Sequence, residues 1–133
     1  MDDDFENALQ LRRDVLGAEH VDALLSGPPF TLPFQTFVTR YAWGGGWLDD
    51  GIDLKTRSLV TVAVVAALGQ SAEVRLHVNG AIRNGCTATE IAAVIKHVAI
   101  YAGVGNAVAA INMANAALSE NVLSDPSDAL PKP

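Results

Sequence analysis

Residues 53–85, DLKTRSLVTVAVVAALGQSAEVRLHVNGAIRNG, decide the fold of this chain. The segment 59–68 is apolar apart from one threonine, which predicts a helix that is buried on nearly all sides. Ten residues are too few to cross a bilayer, so we exclude a membrane span here. Gly69 predicts the left-handed cap that ends this helix, and Ser71 is the candidate cap of the next one. The stretch therefore predicts two consecutive helices.

The second of these helices carries the closest acid–base pair in the sequence. Glu73 and His77 are four residues apart, so they share one helix face about one turn apart. The functional interpretation is a general acid or base whose tautomer and pKa are set by the carboxylate. The structural alternative is that Glu73 complements the helix dipole while His77 is an ordinary half-buried side chain. Spacing alone leaves both interpretations open.

Composition limits the fold and the partners. The 133 residues are half apolar and only 18% charged, and their number suffices for one domain with a real core. We expect a chain this apolar to bury part of its surface against other subunits. The net charge of −6 argues against nucleic acid as a partner. Between Arg40 and Lys96, however, basic residues exceed acids by one, so this part can bind an anion.

Two features concern the cellular compartment. Cys86 is the one cysteine, so neither an intrachain disulfide nor a CxxC redox pair can form, and we assign it no reactivity. The N-terminal residues MDDDFE are acidic and lack the basic and apolar regions of a signal peptide. We therefore expect a cytoplasmic protein that is not bound to a membrane.

The N-terminal part of the chain also predicts helices. Apolar residues in 5–16 recur at helical spacing, and a second, short helix is predicted over 18–25, before a Ser-Gly-Pro-Pro break. A third helix is expected over 32–43. The glycines 44–46 are expected to end it, which places Trp47 in a loop.

The C-terminal part continues the helical pattern. Residues 87–90, TATE, form a capping-box signature that opens a helix to about Tyr101, and Gly103 is expected to end it. A last, alanine-rich helix is predicted over 106–118, with Asn106 as its cap.

These elements predict an all-α protein. No segment shows the alternation of a half-buried strand, and alanine-rich helices pack closely, so we expect a compact bundle of about six helices. Residues 1–118 are predicted to form a single domain. Residues 119–133 contain three prolines and few apolar residues, and they are predicted to be a loose tail.

Two arginines and a second histidine are further candidates. Arg40 and Arg57 are placed near helix ends, where each could clamp a substrate carboxylate with two hydrogen bonds. The alternative is a surface salt bridge with a nearby aspartate, which is worth little. His97 is a second candidate site residue, although a lone histidine on a helix more often packs or faces solvent. The three scattered histidines and the absence of HExxH predict no metal site.

A family resemblance covers most of the chain, from about Leu11 to Leu118. The sequence resembles the 4-carboxymuconolactone decarboxylase family, which is similar to the alkyl hydroperoxide reductase D-like proteins. On the CxxCxxxH motif of the latter, His77 takes the histidine place and Gln70 and Glu73 take the cysteine places, so a thiol peroxidase activity is excluded. The resemblance is carried, in order, by FQTFVTRYAW (34–43), LKTRSLVTVAVVAALG (54–69), EVRLHVNGAIRNGCTATEI (73–91) and HVAIYAGV (97–104).

This resemblance implies a fold and an activity. The expected protomer is all-helical and alkyl hydroperoxide reductase D-like, and it assembles into a ring-like homo-oligomer with a hexamer as the expected size. The expected reaction is a cofactor-free decarboxylation of 4-carboxymuconolactone, or of a close carboxylated butenolide, to the β-ketoadipate enol-lactone. The expected partner is thus a small carboxylated lactone.

The resemblance also assigns expected roles to the candidate residues. His77, held by Glu73, is expected to protonate carbon after carbon dioxide has left. Arg40 or Arg57 is expected to bind the retained carboxylate or the developing oxyanion. The remaining predicted substrate contacts are Tyr41 and Trp43, as an apolar wall, and His97.

Two positions depart from the family pattern. The family usually has glutamate at the position of Gly45 and has proline at the position of Gly105. These departures leave alternatives for the activity. One is a related lactone or β-keto acid isomerase, cyclase or epimerase in another pathway. Another is a non-catalytic helical oligomer that binds an organic acid or a protein partner.

Overall fold

The computed structural model describes residues 3–124, and every regular element within this range is helical. This confirms the all-α prediction. The chain divides into two compact units, one ending at Leu54 and the other beginning at Lys55. The single domain over 1–118 stays a prediction. The helices are α1 (Asp3–Leu16), α2 (Ala18–Leu25), α3 (Leu32–Val38), a π-helix (Thr39–Trp47), α4 (Leu54–Ala67), α5 (Ser71–Arg83), α6 (Ala88–Ala102) and α7 (Val104–Ser124).

The first unit is assembled around α1. Apolar side chains of α1 recur at helical spacing, and Ala8 and Val15 are fully buried. The helix packs against α2 and along the π-helix. Val21 of α2 is also fully buried, so both N-terminal helices contribute to the core of this unit.

The predicted break at glycines 44–46 is wrong. The helix does not end there but continues as a π-helix to Trp47, and the Leu48 N–H donates to the Trp43 carbonyl at 3.0 Å, five residues back. The indoles of Trp43 and Trp47 are buried and stacked, with ring centroids 4.7 Å apart. Glycine disfavours a helix by about 1 kcal/mol per residue, whereas burying a large aromatic side chain contributes more. The tryptophan pair therefore overrides the glycines.

In the second unit, α7 packs against both α5 and α6. One face of α4 is buried, including Val62 and Ala66. The expectation of a helix buried on nearly all sides is wrong, because Val60, Val64 and Leu68 are 48%, 50% and 65% exposed. Val60 and Val64 lie on α4 and Leu68 directly follows its end. Because the three follow one another at intervals of four, they form one apolar stripe, which we call the α4 stripe.

The helix ends in the second unit agree in part with those predicted from the sequence. Gly69 has φ +71°, which confirms the left-handed end of α4. The capping box is also confirmed, since Thr87 N–H donates to Glu90 Oε1 at 2.9 Å and Glu90 N–H donates to Thr87 Oγ1 at 3.1 Å. The prediction that Ser71 caps α5 is wrong: Ser71 is its first helical residue, and the capping position is taken by Gln70 without a side-chain hydrogen bond.

The last helix is longer than expected. Helix α7 begins at Val104, so Asn106 is not its cap; its side-chain amide donates to the carbonyl of Ala67 at 2.9 Å instead. The helix continues to Ser124, so the predicted loose tail is wrong for 119–124, while 125–133 lie outside the described residues. Among the described helices, none is both long and apolar enough to cross a membrane.

Candidate functional site

Glu73 and His77 meet on α5. The Nε2 atom of His77 lies 3.6 Å from Oε2 of Glu73, one helical turn earlier. This distance is longer than a good hydrogen bond, so the contact is mainly electrostatic. His77 is only 8% exposed, whereas the Glu73 side chain is half exposed. The imidazole is thus covered by protein and the carboxylate reaches solvent.

Burial governs the protonation of His77. Desolvation lowers the pKa of its imidazole below the ordinary value of 6.5, and the negative charge of Glu73 opposes this shift but does not cancel it. At neutral pH the ring is therefore mainly neutral, and a proton bound to it is held weakly. A weakly held proton beside a carboxylate is suited to general acid–base chemistry, although a structural histidine can show the same shift.

The second unit holds α5 in place on both sides of His77. The Asn121 amide of α7 donates to Asn79 Oδ1 at 2.7 Å, and Arg75 forms an ion pair with Glu120 of α7. Val78, next to His77, is fully buried. These contacts fix the helix that carries Glu73 and His77, and they thereby also fix the position of the imidazole.

His97 is in a different part of the second unit. It is exposed on α6, and its ring centroid is 5.0 Å from that of Tyr101. Both line an apolar groove of about 620 Å³ between α4 and α6. Neither His77 nor Arg57 is among the residues that line this groove, and Arg57 is half-buried on α4. The groove is lined by Thr56, Leu59, Val60, Ala63, Val64, Ala67, Ala93, Val94, His97, Val98, Tyr101 and Ala102.

Arg40 lines a cavity of about 510 Å³ within the first unit, which we call the Arg40 cavity. Its guanidinium carbon lies 4.6 Å from the centroid of the Phe5 ring, in a cation–π contact. The positive charge of Arg40 is therefore attracted to the face of the Phe5 ring. The cavity is lined by Asp4, Phe5, Ala8, Arg40, Gly44, Gly45 and Leu48.

Tyr41 and Trp43 share the π-helix with Arg40 but do not line this cavity. Tyr41 is exposed and stacks on Phe37, with centroids 5.5 Å apart and planes within 6°. Trp43 is buried against Trp47 and belongs to the core of its unit. Of the three predicted contacts on this helix, the structure brings only Arg40 to the cavity.

Arg12 is a buried residue that the sequence analysis did not single out. It is 4% exposed, and burial lowers the pKa of its guanidinium. Its described partners are neutral: it donates to Thr39 Oγ1 at 3.0 Å, to Gln35 Oε1 at 2.7 Å and to the Gln35 carbonyl at 3.4 Å. A sequence signal existed, because Arg12 falls between Ala8 and Val15 on the apolar face of α1. Arg12 thus fixes the junction where α3 becomes the π-helix.

A metal site was not expected, and within residues 3–124 no group of three or more histidine, cysteine, aspartate or glutamate side chains is placed to hold an ion. Cys86 is buried, and its thiol lies 3.4 Å from the carbonyl of Lys55. The site candidates in the described residues are therefore the Glu73–His77 pair, the groove at His97 and the Arg40 cavity.

Comparison with known proteins gives a family match. Residues 33–116 match the model of the carboxymuconolactone decarboxylase family. The chain is 40% identical over 111 residues to 4-carboxymuconolactone decarboxylase of Acinetobacter baylyi, covering 83% of each chain. It is 39% identical over 121 residues to nitrosuccinic acid decarboxylase of Metarhizium robertsii, covering 89% of this chain and 83% of the relative. The matched residues 33–116 include both Arg40 and the Glu73–His77 pair.

Proposed function

Because the chain belongs to the carboxymuconolactone decarboxylase family, we propose that it is a carboxy-lyase that releases carbon dioxide from a small carboxylated lactone without a cofactor. The leading substrate is 4-carboxymuconolactone or a close carboxylated butenolide, and the product is the corresponding enol-lactone. The observation that carries this proposal is the Glu73–His77 pair, in which a buried imidazole of lowered pKa lies 3.6 Å from a carboxylate.

The proposed reaction needs an electron sink, and the substrate supplies it. When the bond to the departing carboxylate breaks, its electron pair enters the conjugated C=C–C=O system of the lactone and carbon dioxide leaves. The product is a dienolate whose negative charge lies on the lactone carbonyl oxygen. Addition of one proton at the carbon next to the carbonyl gives the enol-lactone. The protein therefore has to supply one well-placed proton and an environment that favours the loss of charge from the carboxylate.

We assign that proton to His77. As an imidazolium it gives a proton to carbon and becomes neutral, the form that burial favours. Glu73 opposes the loss of the bound proton before reaction and can hold the ring in one orientation. The neutral imidazole then takes up a proton from solvent, reached through the exposed Glu73, to complete the cycle.

The arginines are proposed to bind the parts of the substrate that stay. Arg40 or Arg57 would pair with the retained carboxylate or with the developing oxyanion. A tight pair with the departing carboxylate would stabilise the ground state more than the transition state, so we do not assign it. Tyr41, Trp43 and His97 remain proposed substrate contacts. For Trp43, the buried stack with its neighbouring indole also supports a structural contribution.

The similarity to nitrosuccinic acid decarboxylase favours a second candidate substrate, a 2-nitro dicarboxylic acid. In such an acid the carboxylate leaves from the carbon that bears the nitro group. The electron pair is then accepted by that group as a nitronate, and one proton added at carbon completes the reaction. The demand on the protein is the same, one positioned acid, so the same residues serve both candidates.

We further propose that the protein is a cytoplasmic homo-oligomer, with a hexamer as the expected size. Support comes from apolar side chains that the isolated chain leaves exposed, among them Phe30, Phe34 and the α4 stripe. Light scattering at micromolar concentration tests this assembly. A folded monomer as the main species would contradict it.

The experiment for the activity offers both candidate substrates to the purified protein. Carbon dioxide release is followed for 4-carboxymuconolactone, generated in place from carboxymuconate, and for 2-nitrosuccinate, each with wild type and His77→Gln. We expect wild type to turn over one of them and the variant to lose that turnover. A folded wild-type protein that releases carbon dioxide from neither substrate contradicts the proposed function, and a fully active His77→Gln contradicts the assigned acid.

A further inference from the structure

The second unit leaves large apolar side chains exposed on three of its helices but not on α5. Among its described residues, Val64 of α4, Ile100 of α6 and Val108 of α7 are 50%, 69% and 51% exposed, whereas no large apolar side chain of α5 is exposed to a similar degree. Helix α6 lines one groove together with α4 and a second groove together with α7, and the two grooves share no residue. The exposed side chains therefore form one continuous surface, the α4–α6–α7 face, which consists of Val60, Val64, Leu68, Ile100, Tyr101, Val104, Val108 and Ile111.

The α4–α6–α7 face carries almost no charge. Residues 58–72, which include the exposed part of α4, contain no aspartate, glutamate, lysine or arginine, and Lys96 is the only such residue between positions 91 and 119. The groove between α4 and α6 is lined by no arginine or lysine, so it offers no such cation to the carboxylates of the proposed substrates. A lack of charged residues is typical of the buried centre of a protein interface.

The size of the face matches a contact between subunits. A large apolar residue presents on the order of 150–200 Å² when fully exposed, so the residues of the face together present roughly 700 Å² at their observed exposure. This exceeds the roughly 600 Å² of the largest apolar patch on a typical monomer and approaches the roughly 800 Å² per partner that a stable interface buries. The face is therefore large enough for a stable dimer contact.

We propose that a second copy of the chain covers the α4–α6–α7 face with its own copy of the same face, around a two-fold axis. This inference rests on the homo-oligomer of the proposed function, and it gives that assembly a location and a symmetry. Two-fold contacts between identical surfaces are the commonest kind in homo-oligomers.

The chemistry of the face favours this partner over others. Because the face carries almost no charge, it offers no electrostatic complementarity to a nucleic acid or to a charged protein surface. It is complementary to itself, because exposed side chains of the α4 stripe border a groove of about 620 Å³ that can receive apolar side chains. His97 lines the same groove, so its proposed contact with substrate would be made beside the partner copy.

The first test measures the mass of the assembly after a charge is placed in the face. Val64→Asp introduces two carboxylates into each two-fold contact, so the apparent dissociation constant should rise at least about 100-fold. The main species at micromolar concentration should then be smaller than in wild type. The matched control Ala72→Asp adds the same charge at the exposed start of α5 and should assemble as wild type does. Light scattering gives the masses, and circular dichroism verifies folding; Leu68→Asp, at a more exposed position, replaces Val64→Asp if that variant is unfolded.

The second test examines the two-fold axis with single cysteines. Residues near such an axis meet their own copies, so cysteine at one or more positions of the face should form a disulfide-linked dimer when the protein is oxidised with diamide. Each residue of the face is replaced in turn, and Ala72→Cys is the control that should not link. Wild type gives the background, because the native Cys86 is buried. A face in which no position links contradicts the two-fold contact.

The outcomes separate this inference from the proposed function. If wild type is an oligomer and folded Val64→Asp keeps the same mass, the face is not the contact, although the proposed assembly can still hold through another surface. If wild type is a monomer, the assembly and this inference both fail, while carbon dioxide release is measured independently. If monomeric wild type co-sediments with phosphatidylcholine vesicles and Val64→Asp does not, a lipid surface covers the face and the second copy is ruled out.

Discussion

Among residues 3–121, whose burial the structure describes, each of the two units buries one basic side chain, and the surroundings of the two side chains differ. Arg12 in the first unit and His77 in the second are both nearly inaccessible, and burial lowers the pKa of each. The described partners of Arg12 are neutral oxygens of Gln35 and Thr39, whereas His77 has a carboxylate 3.6 Å away. A guanidinium stays charged in proteins, so Arg12 cannot exchange a proton near neutral pH, while an imidazole can. Burial of a base thus serves architecture in the first unit, and we propose that it serves chemistry in the second.

The largest expected effect separates the two residues by activity. His77→Gln keeps the size and hydrogen-bonding ability of the side chain but removes its titration, so turnover should fall by about 10²- to 10⁴-fold. The free energy of unfolding at pH 7.5 should change by less than about 1 kcal/mol, because the ring is mainly neutral there. Steady-state kinetics and denaturant unfolding measure the two quantities. A large loss of stability with little loss of kcat would place His77 with Arg12 as a structural residue.

Arg12→Met should reverse this pattern by lowering stability. Methionine keeps the apolar stem but removes the donors to Gln35 and Thr39, so unfolding should become easier by about 1–3 kcal/mol. Any loss of activity should follow the unfolded fraction. Denaturant melts give the stability, and kinetics at low temperature, where the variant is folded, give the activity. A stable variant that has lost activity would show that Arg12 acts beyond the junction it holds.

The pH dependence sharpens the role of His77. Because the proposed acid is the imidazolium and burial lowers its pKa below 6.5, kcat/KM should rise about tenfold per pH unit as pH falls from 8 towards that pKa, and then level off. Glu73 raises the pKa, so Glu73→Gln should move the plateau to lower pH. A profile that is flat between pH 5 and 8, in a pH range where the protein stays folded, would rule out imidazolium as the reacting acid.

The lowered pKa of His77 also has a consequence for the free energy of unfolding. A histidine whose folded pKa is depressed binds fewer protons folded than unfolded, so the stability it contributes is present above pH 6.5 and is lost as pH falls through the folded pKa. Wild type should therefore lose more stability between pH 7.5 and pH 5 than His77→Gln does. Urea melts across this range provide the comparison, and equal losses in both proteins would contradict the depressed pKa.

The smallest expected effect concerns the glycines of the π-helix. Gly45→Ala and Gly46→Ala each remove backbone freedom from the unfolded chain without a clash in the folded one, so each should stabilise the protein by about 0.5–1 kcal/mol. Melting temperatures measure this gain. Destabilisation by either alanine would mean that the π-helix itself requires glycine at that position.

Local signals in the sequence predicted the local features of the fold. The capping box at Thr87 and the left-handed end at Gly69 depend on a few neighbouring residues, so their spacing was sufficient. The π-helix was not predictable in this way, because a glycine run signals a break and only the packing of Trp43 on Trp47 overrides it. The exposure of the α4 stripe was also not predictable from the sequence, because an apolar residue does not reveal which element covers it.

In the candidate site, too, the local features were predictable from the sequence and the packing was not. Spacing alone placed Glu73 and His77 on one turn of one helix, because the period of an α-helix fixes that relation. The burial that lowers the pKa of His77 depends on how other helices pack, and no residue spacing encodes it. The Arg40 cavity likewise joins Phe5 and Gly45, which are far apart in sequence, so the cavity became visible only with the fold.

The run of glycines in the π-helix also has a consequence for changes in chain length. A run of three glycines is ordinarily a place where residues are inserted or deleted without harm. Here each residue added or removed between Trp43 and Trp47 would rotate one indole about the helix axis relative to the other and separate the buried stack. The segment that appears most permissive in sequence should therefore be among the least tolerant of length variation, and relatives that keep both tryptophans should keep three residues between them.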